Sequence, residues 1–585
     1  MHNITSVGGE LWVTYNSMLV NIETLGNIAP ESIGDLFIID NPLLSQCDIS
    51  NICQYLLAPA GTVEIYNNAV GCNSQQEILD ACEATSCLPE GIHFHTQEEI
   101  DSFQTNYPGC TEIEGWVTID DMYAASITNL NGLSVLTFIG GTLDIGDNPA
   151  LPNLTGLEEL TVVGGELNLH YLNNSGFVNL TGLDGLTKIG GRLSIGHCNY
   201  LTSLTGLGGL TYIGGHVFIT DNLSLNSLTG MEGVTTTGGL IYIMYNQSLT
   251  SLTGLEGLTV VGNDLWIVDN DPLTSLLGLE GLTEVGGSLH ISDNTNLTNL
   301  SGLEGLTSIG GSLQIEDSPV LISLTGLENL NYIGGELAVS GTEILPNLEG
   351  LNNVSYIGEE LSLSENNTLT DLTGLDGLTV VNGSLGLSIF SNANLTSLNG
   401  IDNLELVNGG INIGMDDPWY GGFGNPVLND ISALENLDPG SISYLHIVFN
   451  PSLSNCNIQS ICDYLAAPNG SIEIHDNAPG CNSPEEVEEA CLHISVPEYD
   501  DNTAFTISPN PVASSALLEY TLYQRSQVTL QILDLSGRKI LCPVNEEQTP
   551  GDHRTVIDGK GLKPGVYFCI LKTSESIQTM KMIKL

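Results

Sequence analysis

The stretch Leu300-Ser301-Gly302-Leu303-Glu304-Gly305-Leu306-Thr307-Ser308-Ile309-Gly310-Gly311-Ser312-Leu313-Gln314-Ile315 decides how this 585-residue chain is read. Its glycine pair at Gly310 has counterparts at Gly140, Gly164, Gly190, Gly214, Gly238, Gly262, Gly286, Gly334 and Gly358, spaced by 24 residues with one step of 26. A fixed period of this size marks a repeat architecture. Leu313 and Ile315 alternate with polar neighbours, the period of a short strand, and the remaining apolar residues recur at longer steps. One such unit cannot bury its apolar edge alone, so neighbours must stack around a continuous Leu/Ile core. The expected class is mainly β, a parallel β-solenoid of leucine-rich-like coils about 24 residues long.

A second column supports the register. Asn148, Asn174, Asn222, Asn246, Asn270, Asn294 and Asn366 fall at one repeat position, where buried amides satisfy backbone groups freed at each turn. Cys198 falls in the same column and reads as an inert ladder residue, since leucine-rich repeats accept Asn or Cys there. Over roughly residues 110–450 these features resemble the receptor L-domain branch of the leucine-rich repeats. The resemblance implies a right-handed parallel β-helix and leaves the ligand open.

Ten of the thirteen cysteines locate the ends of the solenoids. Cys47, Cys53, Cys72 and Cys82 repeat the spacings of Cys456, Cys462, Cys481 and Cys491, and the surrounding text repeats with them. Zinc sites favour closely paired cysteines, which these lack. Disulfide-bonded helical caps fit better, because the last coil of a solenoid must have its core edge covered. Three pairings per quartet remain open. Ser74-x-x-Glu77, Ser483-x-x-Glu486 and Thr96-x-x-Glu99 are capping boxes that start short helices. Cys87 and Cys110 bracket the third of these and are expected to bridge, closing the N-terminal cap of the second solenoid. Disulfides on this scale place the chain in an oxidising, extracytoplasmic compartment.

Charge divides the chain further. It holds 69 Asp and Glu against 11 Lys and Arg, a net charge of -58, yet 41% of its residues are hydrophobic, so it is acidic without the composition of a disordered chain. That sign excludes nucleic acid as an unaided partner. No apolar run is long enough for a transmembrane segment. Residues 1–504 carry 62 acids and two bases, Lys188 and Arg192, whereas residues 505–585 carry nine bases and seven acids.

In that tail, Val528-Thr529-Leu530-Gln531-Ile532-Leu533 alternates as an antiparallel β-sandwich strand would. Ser508-Pro509-Asn510-Pro511-Val512, Gly537-Arg538, Leu562-Lys563-Pro564-Gly565-Val566-Tyr567 and Lys581-Met582-Ile583-Lys584 form an ordered series. The series resembles the type A C-terminal sorting domain of the type IX secretion system. The resemblance implies a Bacteroidota source, the type IX machinery as partner, and a chain secreted or attached to the outer cell surface. The domains expected are the end of a first, truncated L-domain-like solenoid with its cap (1–86), an N-terminal cap (87–115), the main solenoid (116–449), its C-terminal cap (450–494), a linker (495–504) and the sorting domain (505–585). Residues 4–9 match the middle of a repeat with neither cap nor signal peptide before them, so the expectation is that Met1 is not the natural start of the complete protein or that upstream coils were lost.

Outward positions of the strands name the candidate sites. With Leu and Ile facing inward, the displayed column runs Thr118, Asp144, Asn168, Ser194, Phe218, Tyr242, Trp266, His290, Gln314, Ala338 and Ser362. Phe218, Tyr242, Trp266 and His290 fall on consecutive coils, a stripe about 15 Å long. It is expected to bind an extracellular glycan or protein. The insertion Asp416-Asp417-Pro418-Trp419-Tyr420-Gly421-Gly422-Phe423 interrupts the period, and Trp419, Tyr420 and Phe423 make it a second candidate. Asp147, Asp221, Asp269 and Asp293 precede turn positions and suit calcium, although Asp also favours turns for its own sake. No other cofactor is expected. Catalysis has little support: lyase chemistry on a β-helix needs a basic residue, and stacked acids such as Asp144 with Glu166, or Glu336 with Glu360, arise readily in so acidic a chain. The expectation is a non-enzymatic binding or adhesion protein, with a structural spacer without a discrete site as the first alternative and a polysaccharide-active enzyme as the second.

Overall fold

The computed structural model describes residues 4–121, 126–417, 421–492, 505–522, 524–535, 537–573 and 577–585, so the linker 495–504 lies outside the described residues. Residues 1–492 form one compact unit and residues 493–585 a second. In the first, most coils of the main solenoid contribute a two-residue strand such as Ser308–Ile309 and, after the glycine corner, a four-residue strand such as Leu313–Glu316. The short strands stack into a 14-stranded parallel sheet and the longer ones into a 16-stranded parallel sheet. Register is direct: Leu289 pairs with Leu313, His290 with Gln314, Ile291 with Ile315.

The core follows from spacing. Leu297, Leu300, Leu303, Leu306 and Ile309 recur every third residue and are fully buried, as are Leu313, Ile315 and Leu321. Consecutive turns carry this arc, Leu303 N–H donating to the Leu300 carbonyl and Leu306 N–H to that of Leu303. Gly302 turns the arc with φ at +113°, and a Cβ there would clash with the Leu276 carbonyl of the preceding coil. Only glycine meets both conditions.

A column of buried polar side chains runs through one corner. Asn270 Oδ1 accepts the Asn246 N–H at 3.1 Å, and Asn270 Nδ2 donates to the carbonyls of Ile243 and Val268 at 2.9 Å. Asn222, Asn246 and Asn294 repeat this pattern in part or whole. The residue before each is left-handed, as at Asp221, Tyr245, Asp269 and Asp293. Such a corner points N–H and C=O groups away from the strand ladders, and the amide is what reaches them. Asn174 does not belong to the column. Its coil is the 26-residue one, and Leu172 occupies the buried slot while Asn174 sits half-buried two residues on. Cys198 does belong. Its backbone N–H donates to Asn222 Oδ1 at 3.0 Å, and burial pushes its thiol up to about 12, the state of an inert residue.

Both C-terminal caps close this ladder identically. Asn68 and Asn477 donate to the carbonyls of Cys72 and Cys481, and their own N–H groups go to Asn73 and Asn482. Cys47–Cys72 and Cys456–Cys481 pin those turns, while Cys53–Cys82 and Cys462–Cys491 tie the paired helices Ser50–Leu57 to Gln75–Thr85 and Gln459–Ala466 to Pro484–Cys491. Cys87–Cys110 bridges the N-terminal cap, whose Thr96 and Glu99 form the full capping box. In the duplicated caps the glutamates reach one residue further back, to the N–H groups of Asn73 and Asn482.

The first module is a three-stranded parallel sheet, Gly9–Thr14, Ile33–Ile39 and Val63–Tyr66, with its own buried cluster. Its cap meets the start of the main solenoid around a cavity of about 230 Å³, where Cys53, Leu57 and Leu79 face Glu112, Glu114 and Phe138. The tail unit is an antiparallel sandwich of a three-stranded and a four-stranded sheet around Leu518, Leu530, Ile532 and Cys569.

Two outcomes follow. Asn270→Ala leaves the Asn246 N–H and two carbonyls without their partner and should cost roughly 3 kcal/mol in chemical denaturation; a loss below about 1 kcal/mol would show that the ladder is incidental. At the module junction, burial, then Asp48 and Glu114, raise Glu112 to about 7 from its ordinary 4.5. The folded chain thus holds this proton more tightly than the unfolded one, so the contribution is full below pH 4.5 and lost as pH rises through 7. Glu112→Gln should therefore raise the melting temperature at pH 8 by about one degree, on the order of 1 kcal/mol, and change little at pH 4. An equal shift at both pH values would contradict this.

Candidate functional site

Strand alternation and in-register stacking bring the four predicted side chains together. Phe218 pairs with Tyr242, Tyr242 with Trp266, and Trp266 with His290 across successive strands. Their inward neighbours Val217, Ile219, Ile241, Ile243, Leu265, Ile267, Leu289 and Ile291 are at most 2% exposed, which fixes the outward side. Ring centroids lie 5.9 Å apart for the first two pairs, edge-to-face and tilted, and 4.6 Å for Trp266 and His290. These are favourable aromatic geometries. Each ring leans on the next, so all four are half-buried.

Polar groups frame the rings. At one end the Arg192 guanidinium lies 5.6 Å from the Phe218 ring centroid and donates to Glu166 at 2.8 Å. His216 adds an edge contact to Phe218. Tyr242 Oη donates to Met244 Sδ at 2.8 Å. At the other end His290 bonds through Nδ1 to Gln314 and through Nε2 to Ser292. Beyond Arg192, His170 and Asp144 are 2.8 Å apart, and this hydrogen bond raises the imidazole above its ordinary pKa. Burial first, then Glu360, raises Glu336. The stacked acids Asp144 and Glu166 are thus each tied to a basic side chain of the following coil.

The positions flanking the column follow from the same strand alternation: Glu166, Arg192 and His216 two residues before it, and His170 and Met244 two after it. Sequence reasoning missed the corner residues. One further on, the left-handed corner residues project beside them: Tyr171 stacks on His197 at 4.7 Å, and Tyr171 and Tyr245 are exposed. The signal was available in the period of two and in the corner position of each coil.

The other candidates lie apart. The insertion forms a hairpin of Met415–Asp417 and Gly421–Phe423, six strands from Trp266 along the sheet, about 29 Å. Phe423 is exposed there, and Trp419 and Tyr420 lie outside the described residues. Asp147, Asp221, Asp269 and Asp293 occupy the left-handed corners, φ +51° to +57°, a conformation that Asp tolerates. Among the described residues no group of three or more His, Cys, Asp or Glu is placed to hold a metal ion.

In the tail, the separated motifs meet. Asn510 Oδ1 accepts the Ile583 N–H at 2.8 Å and Asn510 Nδ2 donates to the Lys581 carbonyl at 2.6 Å, joining the first motif to the last. Arg538 Nε donates to Asp534 across the Gly537 turn, and Tyr567 Oη to the Lys563 carbonyl. Cys542 and Cys569 are both free. Comparison with curated proteins returns no match. Residues 506–585 match the family described as the secretion system C-terminal sorting domain. The chain therefore carries a type IX sorting domain and is secreted or attached to the outer cell surface.

Proposed function

We propose that this is a surface-displayed or released binding protein that recognises an extracellular glycan or protein on the long-strand face of its solenoid. The observation that carries the reading is the run of Phe218, Tyr242, Trp266 and His290 on consecutive strands, with Arg192 and Glu166 at one end and Gln314 at the other. Half-buried rings bordered by hydrogen-bonding groups are what a mixed apolar and polar ligand surface needs. The sorting domain puts this face where such ligands are met. The reading is non-catalytic, and the pairing of Asp144 with His170 and Glu166 with Arg192 supports it, because neither carboxylate is left as a partner for the other.

One observation favours a second reading. The rings cover one another, as a ladder that only stabilises the sheet would do. That reading makes the solenoid a spacer. Glycan-array and pull-down binding by the secreted chain, compared with the Tyr242→Ala/Trp266→Ala variant, separates the two. The binding reading predicts at least a tenfold loss with the fold retained; unchanged binding sinks it and leaves the spacer. Deleting residues 505–585 should leave the protein in the periplasm on cell fractionation, and continued appearance outside the cell would contradict the role of the tail.

A further inference from the structure

We propose that the cleft between the first module and the short-strand face of the main solenoid is a separate binding site that takes a carboxylated saccharide. It does not depend on the reading of the aromatic stripe, which lies on the other sheet. The cleft encloses about 830 Å³, within the size range of small-ligand sites, and such sites favour the seams between modules. The solenoid contributes Lys188, Thr211, Tyr212 and Thr236, and the first module contributes Ser6 and Asn27. The cavity at the cap junction, where Cys53 and Leu57 face Phe138, lies along the same seam, so two separate sets of residues define it.

The chemistry comes from Lys188. Strands Lys188–Ile189 and Tyr212–Ile213 pair in register, with Ile189 and Ile213 buried, so Lys188 and Tyr212 both face outward. The Lys188 ammonium lies 5.4 Å from the Tyr212 ring centroid. Residues 1–504 hold 62 acids and two bases, and the other base, Arg192, is already bound to Glu166. Among the described residues no carboxylate lies within ion-pair distance of Lys188. None lines the cleft either, whereas the open groove further along the solenoid is lined by Asp376, Asp402, Glu405 and Asp438. A cation without an acid partner in so acidic a chain is a site for an anion brought from outside. At physiological ionic strength charges beyond about 8 Å are screened, so the local ammonium outweighs the distant acids.

The rest of the lining selects the class. Tyr212 is 40% exposed and offers an aromatic surface for a sugar ring. Ser6 and Thr236 supply neutral hydrogen-bonding groups of the kind that sugar hydroxyls require, and Thr211, whose hydroxyl donates to the Thr187 carbonyl, keeps its acceptor side. A single ammonium matches one carboxylate; a phosphate dianion calls for more cationic or backbone N–H donors than the lining holds.

The test is calorimetric binding of the full chain, at 0.15 M salt, to uronate and sialate oligosaccharides, each beside its carboxyl-reduced counterpart. At least one acid sugar should bind, its reduced form at least tenfold more weakly. Lys188→Met should reduce the acid sugar to the level of the reduced one, and Lys188→Arg should stay within about threefold of wild type, with circular dichroism unchanged in both. Absence of binding across the panel, equal binding of acid and reduced forms, or unchanged affinity in Lys188→Met would each overturn the proposal. The Tyr242→Ala/Trp266→Ala variant should bind as wild type here, which keeps this result distinct from that of the stripe.

Discussion

Every coil of this protein turns a corner at which backbone groups leave the strand ladders, and the structure depends on satisfying them without water. The asparagine column does so. From Asn222 to Asn294 each amide accepts a backbone N–H of the preceding coil and donates to a carbonyl there, so these coils are complete only when the next is in place. This makes stacking in register a condition of the fold. It also explains the caps. Asn68 and Asn477 have no further coil to answer them, and the turns at Cys72 and Cys481, held by disulfides, take its place.

Fixed register is what lets a surface form. Outward residues that are 24 positions apart in sequence become direct neighbours, so one residue type recurring over a few coils becomes a continuous strip. The aromatic stripe arises in this way on the long-strand sheet, and Lys188 beside Tyr212 arises in the same way on the short-strand sheet. The acidity of the remainder gives these two places their distinction. In a stretch with 62 acids and two bases, one base falls at each of these places: Arg192 closes one end of the stripe and Lys188 stands in the seam.

Much of this was legible because period and repetition are physical constraints. The glycine corners, the inward Leu and Ile and the separate basic tail each have one structural reading, and the duplicated cysteine quartets point to caps whose pairing only the structure gives. Asn174 was misplaced because a two-residue insertion after Leu172 shifts the coil, and sequence spacing counts residues where the structure counts buried slots. The cap asparagines Asn73 and Asn482 were overlooked because their role appears only when the ladder's last unsatisfied group is located. The seam between modules was invisible for a different reason. No periodicity encodes how one solenoid segment lies against another, so the setting of Lys188 emerged only from the three-dimensional arrangement.

The central claim is that register stacking turns the long-strand face into a ligand surface. Hydroxyl-radical footprinting of the secreted chain, with and without a saturating glycan or protein that it retains, tests this directly. The account predicts that Phe218, Tyr242, Trp266 and His290 lose reactivity together while the exposed Tyr332 and Tyr66 on other faces do not. Protection confined to other residues, with the four rings unchanged, would contradict it.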